Sequence, residues 1–223
     1  MRVCGTHNSG YNRTRGSIRE KAGPLPAFPM TTSLSNADPS ARLLDRDTTA
    51  VMVVDLQSQL VSAMFESERL LANTDRLLHL AEVLKLPIVV TTQYARGLGP
   101  LHPEVLQRIG NLEVFDKTSF GCFGDSNFAS HLRTVAPRAT TLLLAGVESH
   151  ICVTQTALGA MAAGYLVHVA SDAISSRTCP NWQLGLERME RAGAVISSTE
   201  MAIYELLGRA GTPEFKSMLP HLK

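Results

Sequence analysis

The 223-residue sequence predicts an α/β protein with a three-layer, doubly wound fold, and two observations carry that prediction. Short β-branched apolar runs recur along the chain, and longer segments of helical period separate them. Strands buried on both faces and joined by helices imply right-handed crossovers and a mainly parallel sheet covered on both sides. In such a sheet, ligands bind beyond the carboxyl ends of the strands. The residues at which each apolar run stops are therefore the first candidates for chemistry.

Residues 1–38 stand apart from this pattern. They hold five Lys/Arg against two Asp/Glu, many Gly, Pro, Ser and Thr, and no sustained periodicity, so they read as a flexible leader ahead of one domain over 39–223. Arg-rich, acid-poor composition also suits an organellar transit peptide, and an upstream start codon would look the same. Regularity begins near residue 48. TAVMVVD (49–55) is the first strand. Leu70, Thr74, Leu77, Ala81 and Leu84 then keep helical spacing until Pro87 closes the helix and PIVVTTQ (87–93) forms the second strand. NLEVFDK (111–117), TTLLLAGV (140–147), YLVHVASD (165–172) and AVISS (194–198) continue the series, with helices expected near 126–135, 150–163, 181–192 and 199–208.

Bulk properties narrow the class of partner. A hydrophobic share of 44% supports a sizeable core, and a formal net charge of +1 calls for neither nucleic acid nor an anionic membrane. No apolar stretch reaches the roughly 20 residues that cross a bilayer. A small-molecule partner fits best. The four cysteines, Cys4, Cys122, Cys152 and Cys179, are widely spaced with no CxxC pair, which argues against a disulfide framework and a thiolate zinc site. They read as reduced thiols of a cytoplasmic protein, or a mitochondrial one if the leader is a transit peptide.

Three strand ends carry reactive groups. The first run stops at Asp55, the third at Lys117, and the fourth leads through GVESHIC to Cys152 on the opening turn of the next helix. An ammonium and a helix N-terminus both favour a thiolate, so Lys117 and the helix dipole would activate Cys152. Asp55 would take the thiol proton and later hand it to a leaving amine. Each residue also has an ordinary reading: a helix cap for Asp55, a solvated cation for Lys117 and a small core residue for Cys152. Cys4, Cys122 and Cys179 lack the strand-to-helix setting and read as bystanders. His150 lies two residues from Cys152, so its side chain points to another face of the helix and makes no Cys–His dyad.

VMVVDLQ, VVTTQYARGLGPLHPE, DKTSFGCF, the segment from LLLAGVESHICVTQT to SDAISSR, and STEMAIYELLGRAGTPEFK together resemble the isochorismatase-like cysteine hydrolases over about residues 48–220. The QY..GLGP..PE and PEFK segments look most like the isochorismatase domain-containing protein 2 subgroup. The resemblance implies a six-stranded parallel sheet, a catalytic triad of Asp55, Lys117 and Cys152, and a cis peptide between Val147 and Glu148. That peptide would turn N–H groups near Glu148 toward the N–H of Cys152 to form an oxyanion hole. It also implies a homo-oligomer, with helices or the TPEFKSMLPHLK tail at the interface.

Departures from the family pattern refine the expected chemistry. Nicotinamidases of the family hold a metal with an Asp-x-His pair and a further His, whereas the second strand here runs into TTQYARGLGPLHPE with His102 alone. No catalytic metal and no cofactor are expected, and nicotinamide is disfavoured as substrate. True isochorismatases cleave an enol ether and lack the cysteine, so Cys152 argues against that reaction. Gln57, Gln93 and Tyr94 are candidate substrate contacts, and Phe120 and Phe123 are candidate pocket walls; surface polarity and core packing are their ordinary readings. The expected activity is cysteine-dependent hydrolysis of a small amide or carbamoyl compound. The contrasting expectation is a non-catalytic binding or scaffold protein that keeps the fold.

Overall fold

Thr49–Val54 is buried at every position and forms β1, the inner strand around which the sheet is built. The computed structural model describes residues 43–222; the leader assigned to 1–38 lies outside the described residues. After β1 come the single turn α1 (Ser58–Val61) and the long α2 (Ser67–Leu84). The spaced positions Leu70, Thr74, Leu77, Ala81 and Leu84 are all buried, which is why that periodicity made a helix. Then follow β2 (Ile88–Gln93), α3 (Ala95–Leu98), α4 (Pro103–Ile109), β3 (Val114–Lys117), α5 (Phe128–Val135) and β4 (Thr141–Val147). The chain closes with α6 (Thr154–Ala162), β5 (Leu166–Ser175), α7 (Cys179–Arg191), β6 (Val195–Ser197), α8 (Thr199–Leu207) and α9 (Pro213–Met218).

The strands form a six-stranded sheet in the order β3-β2-β1-β4-β5-β6, and every pairing is parallel. Chain order reverses between β1 and β4, so the crevice past their carboxyl ends is the topological switch point where ligands of such folds bind. Two apolar clusters flank the sheet. One joins Val51, Val53 and Leu143 to α2 and α8, and the other joins Met52, Leu142 and Leu144 to Phe128, Leu132, Ala157 and Met189.

Two local features shape the switch point. Gly146, with φ of +118°, lets β4 press against β1: a Cβ there would lie 2.1 Å from the Val54 carbonyl oxygen. β5 runs three residues past the expected stop at Asp172, because its register shifts between Leu144 and Gly146 and pairing resumes at Ile174 and Ser175. Asp172 holds the start of α8, accepting from Thr199 N–H at 2.7 Å and from Thr199 Oγ1 at 2.9 Å, while Ser198 is that helix's N-cap. No helix among the described residues is long and apolar enough to cross a membrane.

Candidate active site

Asp55, Gln93 and Lys117 follow or close three adjacent strands, β1, β2 and β3, and converge on one hydrogen-bonded cluster. Lys117 Nζ donates to Asp55 Oδ2 and to Gln93 Oε1, both at 2.7 Å. The carboxylate and the ammonium are both fully buried. The other Asp55 oxygen, Oδ1, accepts from Thr91 Oγ1 at 2.8 Å, so both carboxylate oxygens have donors. Asp55 itself sits at φ of +54°, a left-handed conformation that Asp tolerates better than most residues and that often marks a functional turn. A lysine ending a strand usually turns to solvent; here the carboxylate two strands away draws it in.

Gln93 is fixed on every side. Its Nε2 donates to the Thr118 carbonyl at 2.8 Å, which leaves Oε1 facing Lys117. Its backbone N–H donates to Gln57 Oε1 at 2.8 Å, and Gln57 Nε2 returns a bond to the Gln93 carbonyl at 3.1 Å and another to Gly99. Gln57 and Gln93, expected as substrate contacts, are thus buried bracing groups around the ion pair.

The fourth strand delivers the thiol. The Val147–Glu148 peptide is cis. Residues Ser149–Val153 then form a π-turn rather than the first turn of an α-helix, so Cys152 lies within the π-turn, just before α6. Glu148 anchors that turn: its Oε2 accepts from Arg177 N–H at 3.0 Å and Arg177 Nε at 3.1 Å. On the other side Gly185 of α7 is so close that a Cβ would lie 2.4 Å from Ser149 Oγ, and Ser149 Oγ donates to the Trp182 carbonyl at 3.1 Å. His150 Nδ1 lies 3.0 Å from Ser176 Oγ. Cys152 Sγ points to Gln93 Oε1 at 4.0 Å, the outer limit of an S–H···O contact.

Electrostatics differ from the sequence expectation. Burial pushes the Cys152 thiol up to about 12; the Asp55 charge adds to the rise, and Lys117 only opposes it. Lys117 is already committed to Asp55, so the site as built holds a protonated thiol beside a carboxylate. Burial also raises Asp55 above the ordinary carboxylate value, against the lowering effects of Lys117, Thr91 and the Cys152 thiol. A raised carboxylate is the better proton acceptor. At rest the proton therefore stays on the Cys152 sulfur.

The remaining candidates are less central. Tyr94, at φ of +43°, is half exposed and lays its ring over Gly97 of α3, while Phe120 is 58% exposed on the loop after β3. Phe123 belongs elsewhere: its ring packs edge-on to Phe128 at 5.1 Å and near Tyr165 at 6.1 Å, in the aromatic part of the core. Thr91 and Arg177 were missed from sequence, since a strand threonine and a loop arginine carry no local signal of the partner they meet. Cys122 and Cys152 are free thiols, but Cys179 is disulfide-bonded, which corrects the reading of all four cysteines as reduced. Among the described residues, no three His, Cys, Asp or Glu side chains gather as a metal site would require.

Residues 49–201 match the family model described as the isochorismatase domain. The chain is 37% identical over 194 residues to the secreted isochorismatase effector Isc1 of Phytophthora sojae, which spans 86% of this chain and 92% of that protein. It is 30% identical over 175 residues to isochorismatase domain-containing protein 2 of Xenopus laevis, spanning 78% and 83%. Among solved structures, the YcaC gene product of Escherichia coli, described as an octameric hydrolase of unknown specificity, is similar with a TM-score of 0.74 at 25% identity, over 80% of this chain and 90% of that one.

Proposed function

The chain belongs to the isochorismatase family, with relatives in the isochorismatase domain-containing protein 2 group, and on that premise we propose that it hydrolyses a small amide or carbamoyl C–N bond through a thioester on Cys152. The observation that carries the proposal is the fully buried Asp55–Lys117 pair, joined through Gln93 Oε1 to a free thiol. A buried ion pair is costly to build, and a core of this kind gains nothing in stability from it over apolar residues. Its use is chemical.

The steps follow from where protons can rest. Asp55 accepts the Cys152 proton as the sulfur attacks the substrate carbonyl carbon. The N–H groups at Glu148 and Cys152 stabilise the oxyanion of the tetrahedral intermediate. The C–N bond breaks, the leaving amine takes the proton from Asp55, and the acyl group stays on sulfur. Asp55 then removes a proton from water, the hydroxide attacks the thioester, and the Cys152 sulfur leaves and is reprotonated. Lys117 keeps Asp55 ionised between proton transfers.

Tyr94 and Phe120, both exposed, are proposed to meet the substrate, and a homo-oligomer is proposed because the E. coli relative is octameric. Screening small amides, ureides and carbamoyl compounds for ammonia release, beside Cys152→Ala, tests the reading. Turnover by the parent protein and none by the variant is expected. Equal turnover by both would remove Cys152 from the reaction.

A further inference from the structure

Phe123, expected from sequence as a pocket wall, lines a cavity away from the catalytic cluster. The cavity, of about 260 Å³, opens between α5, the loop before β4 and the turn from α6 into β5. Cys152 lies just before the start of α6 and Ala163 just past its end, so the nine residues of that helix, roughly 13 Å, separate the thiol from the cavity.

Aromatic rings and small side chains shape this space. Phe123 and Tyr165, with ring centroids 6.1 Å apart, supply the rings, and Ala129, Ala163 and Gly164 leave room that longer side chains would fill. A Cβ added at Gly164 would meet nothing within 4 Å. Phe123 is held from behind: its ring packs on Phe128 at 5.1 Å, and a Cβ on Gly159 of α6 would lie 2.7 Å from Phe123 Cβ. The wall is therefore formed before any ligand arrives.

The polar groups of the lining share one sense. Among the described residues that line the cavity, Arg133 alone carries a charge. It stands four residues after Ala129 on α5, so the guanidinium shares a helix face with the gap that the alanine leaves. Among the described residues it makes one hydrogen bond, from Nη2 to the exposed Ser130 Oγ at 3.2 Å, which leaves Nε and Nη1 to donate elsewhere. The Thr140 and Tyr165 hydroxyls have no protein partner among the described residues. The carbonyls of Ala160 and Met161 at the end of α6 are already taken, accepting from Tyr165 and Gly164 N–H at 3.0 Å.

We propose that this cavity is a second ligand site, which takes a small aromatic carboxylate with its ring against Phe123 and Tyr165 and its carboxylate on Arg133. A cavity below the roughly 300 Å³ at which drug-sized pockets begin suits a single ring. A neutral ring would leave the guanidinium unpaired, and a carboxylate without a ring would leave the aromatic walls uncovered.

The test titrates the purified full chain with benzoate by calorimetry, beside benzyl alcohol, which has the ring without the charge, and acetate, which has the charge without the ring. Arg133→Gln, Ala129→Leu and Cys152→Ala are titrated in parallel, with circular dichroism to verify folding. Benzoate is expected to fill a single site about tenfold or more tightly than either comparison ligand. Arg133→Gln should weaken benzoate about tenfold, Ala129→Leu should weaken it at least as much by filling the gap, and Cys152→Ala should bind it as the parent does. Benzoate bound no more tightly than benzyl alcohol by the parent protein, bound undiminished by the folded Arg133→Gln and Ala129→Leu variants, or lost in Cys152→Ala would overturn the site. Because Cys152→Ala is expected to bind benzoate whatever its turnover, failure of this site is scored separately from failure of the thioester reading.

Discussion

Two carboxylate–cation pairs in this molecule share a distance and little else. Asp55–Lys117 and Asp75–Arg108 each bring a nitrogen to 2.7 Å from a carboxylate oxygen. The first joins the ends of strands and has both side chains fully buried. The second joins α2 to α4 with side chains 28% and 37% exposed, and its guanidinium makes a second bond to Asp75 at 3.0 Å. At the exposed pair the Asp75 bonds raise Arg108 further above its ordinary value, as attraction alone would do. At the buried pair desolvation outweighs attraction, and Asp55 is raised despite the ammonium beside it. Contact distance does not say what an ion pair is for; the water it has lost does.

The largest expected effect comes from breaking the buried pair on one side. Lys117→Met leaves a lone carboxylate in the core and should lower stability at pH 7 by about 3–5 kcal/mol in chemical denaturation, with turnover lost. Removing both charges, as Asp55→Leu with Lys117→Met, should restore most of that stability and none of the turnover. Stability that stayed low in the double variant would show that the pair is structural after all.

Alkali should next distinguish the buried thiol from the surface. Cys152 is raised to about 12 in the fold, so above its ordinary value near 9 the unfolded chain ionises while the folded one holds its proton. That contribution to stability is complete below pH 9 and is lost as pH rises toward 12, at up to about 1.4 kcal/mol per pH unit. Denaturation midpoints between pH 9 and 11 should fall less steeply in Cys152→Ala.

A smaller effect concerns Asp55. As proton acceptor it must be ionised, so the acid limb of kcat/KM should lie above 3.8, the direction in which burial moves it. Thr91→Val removes a donor that favours the carboxylate and should move that limb further up. A limb that stays put would take Asp55 out of the proton-transfer step. The least effect belongs to the exposed pair: Arg108→Ala should cost no more than about 1 kcal/mol in denaturation, shrink further in high salt and leave turnover unchanged.

What could be read from the chain follows the same division. The six strands and the long α2 were legible because burial leaves a periodic trace in residue type, and the carboxyl-end rule then singled out Asp55, Lys117 and Cys152. The short helices α1, α3, α4 and α9 were not, being held by surrounding structure more than by their own period. The charge state at Cys152 was also misjudged from sequence. A lysine near a cysteine suggests a thiolate, but Lys117 spends its bonds on Asp55 and Gln93, and only the folded structure reveals that prior claim. Thr91 escaped notice for a related reason: a strand hydroxyl acquires meaning from a neighbour far along the chain.

If an acyl group passes through the Cys152 sulfur, acid-quenched intact mass spectrometry during turnover will catch it there. With an amide that releases ammonia, a transient protein species heavier by the acyl group is expected, mapped to Cys152 and absent from Cys152→Ala. Sustained ammonia release with an unmodified Cys152, or from the alanine variant, would rule the thioester out.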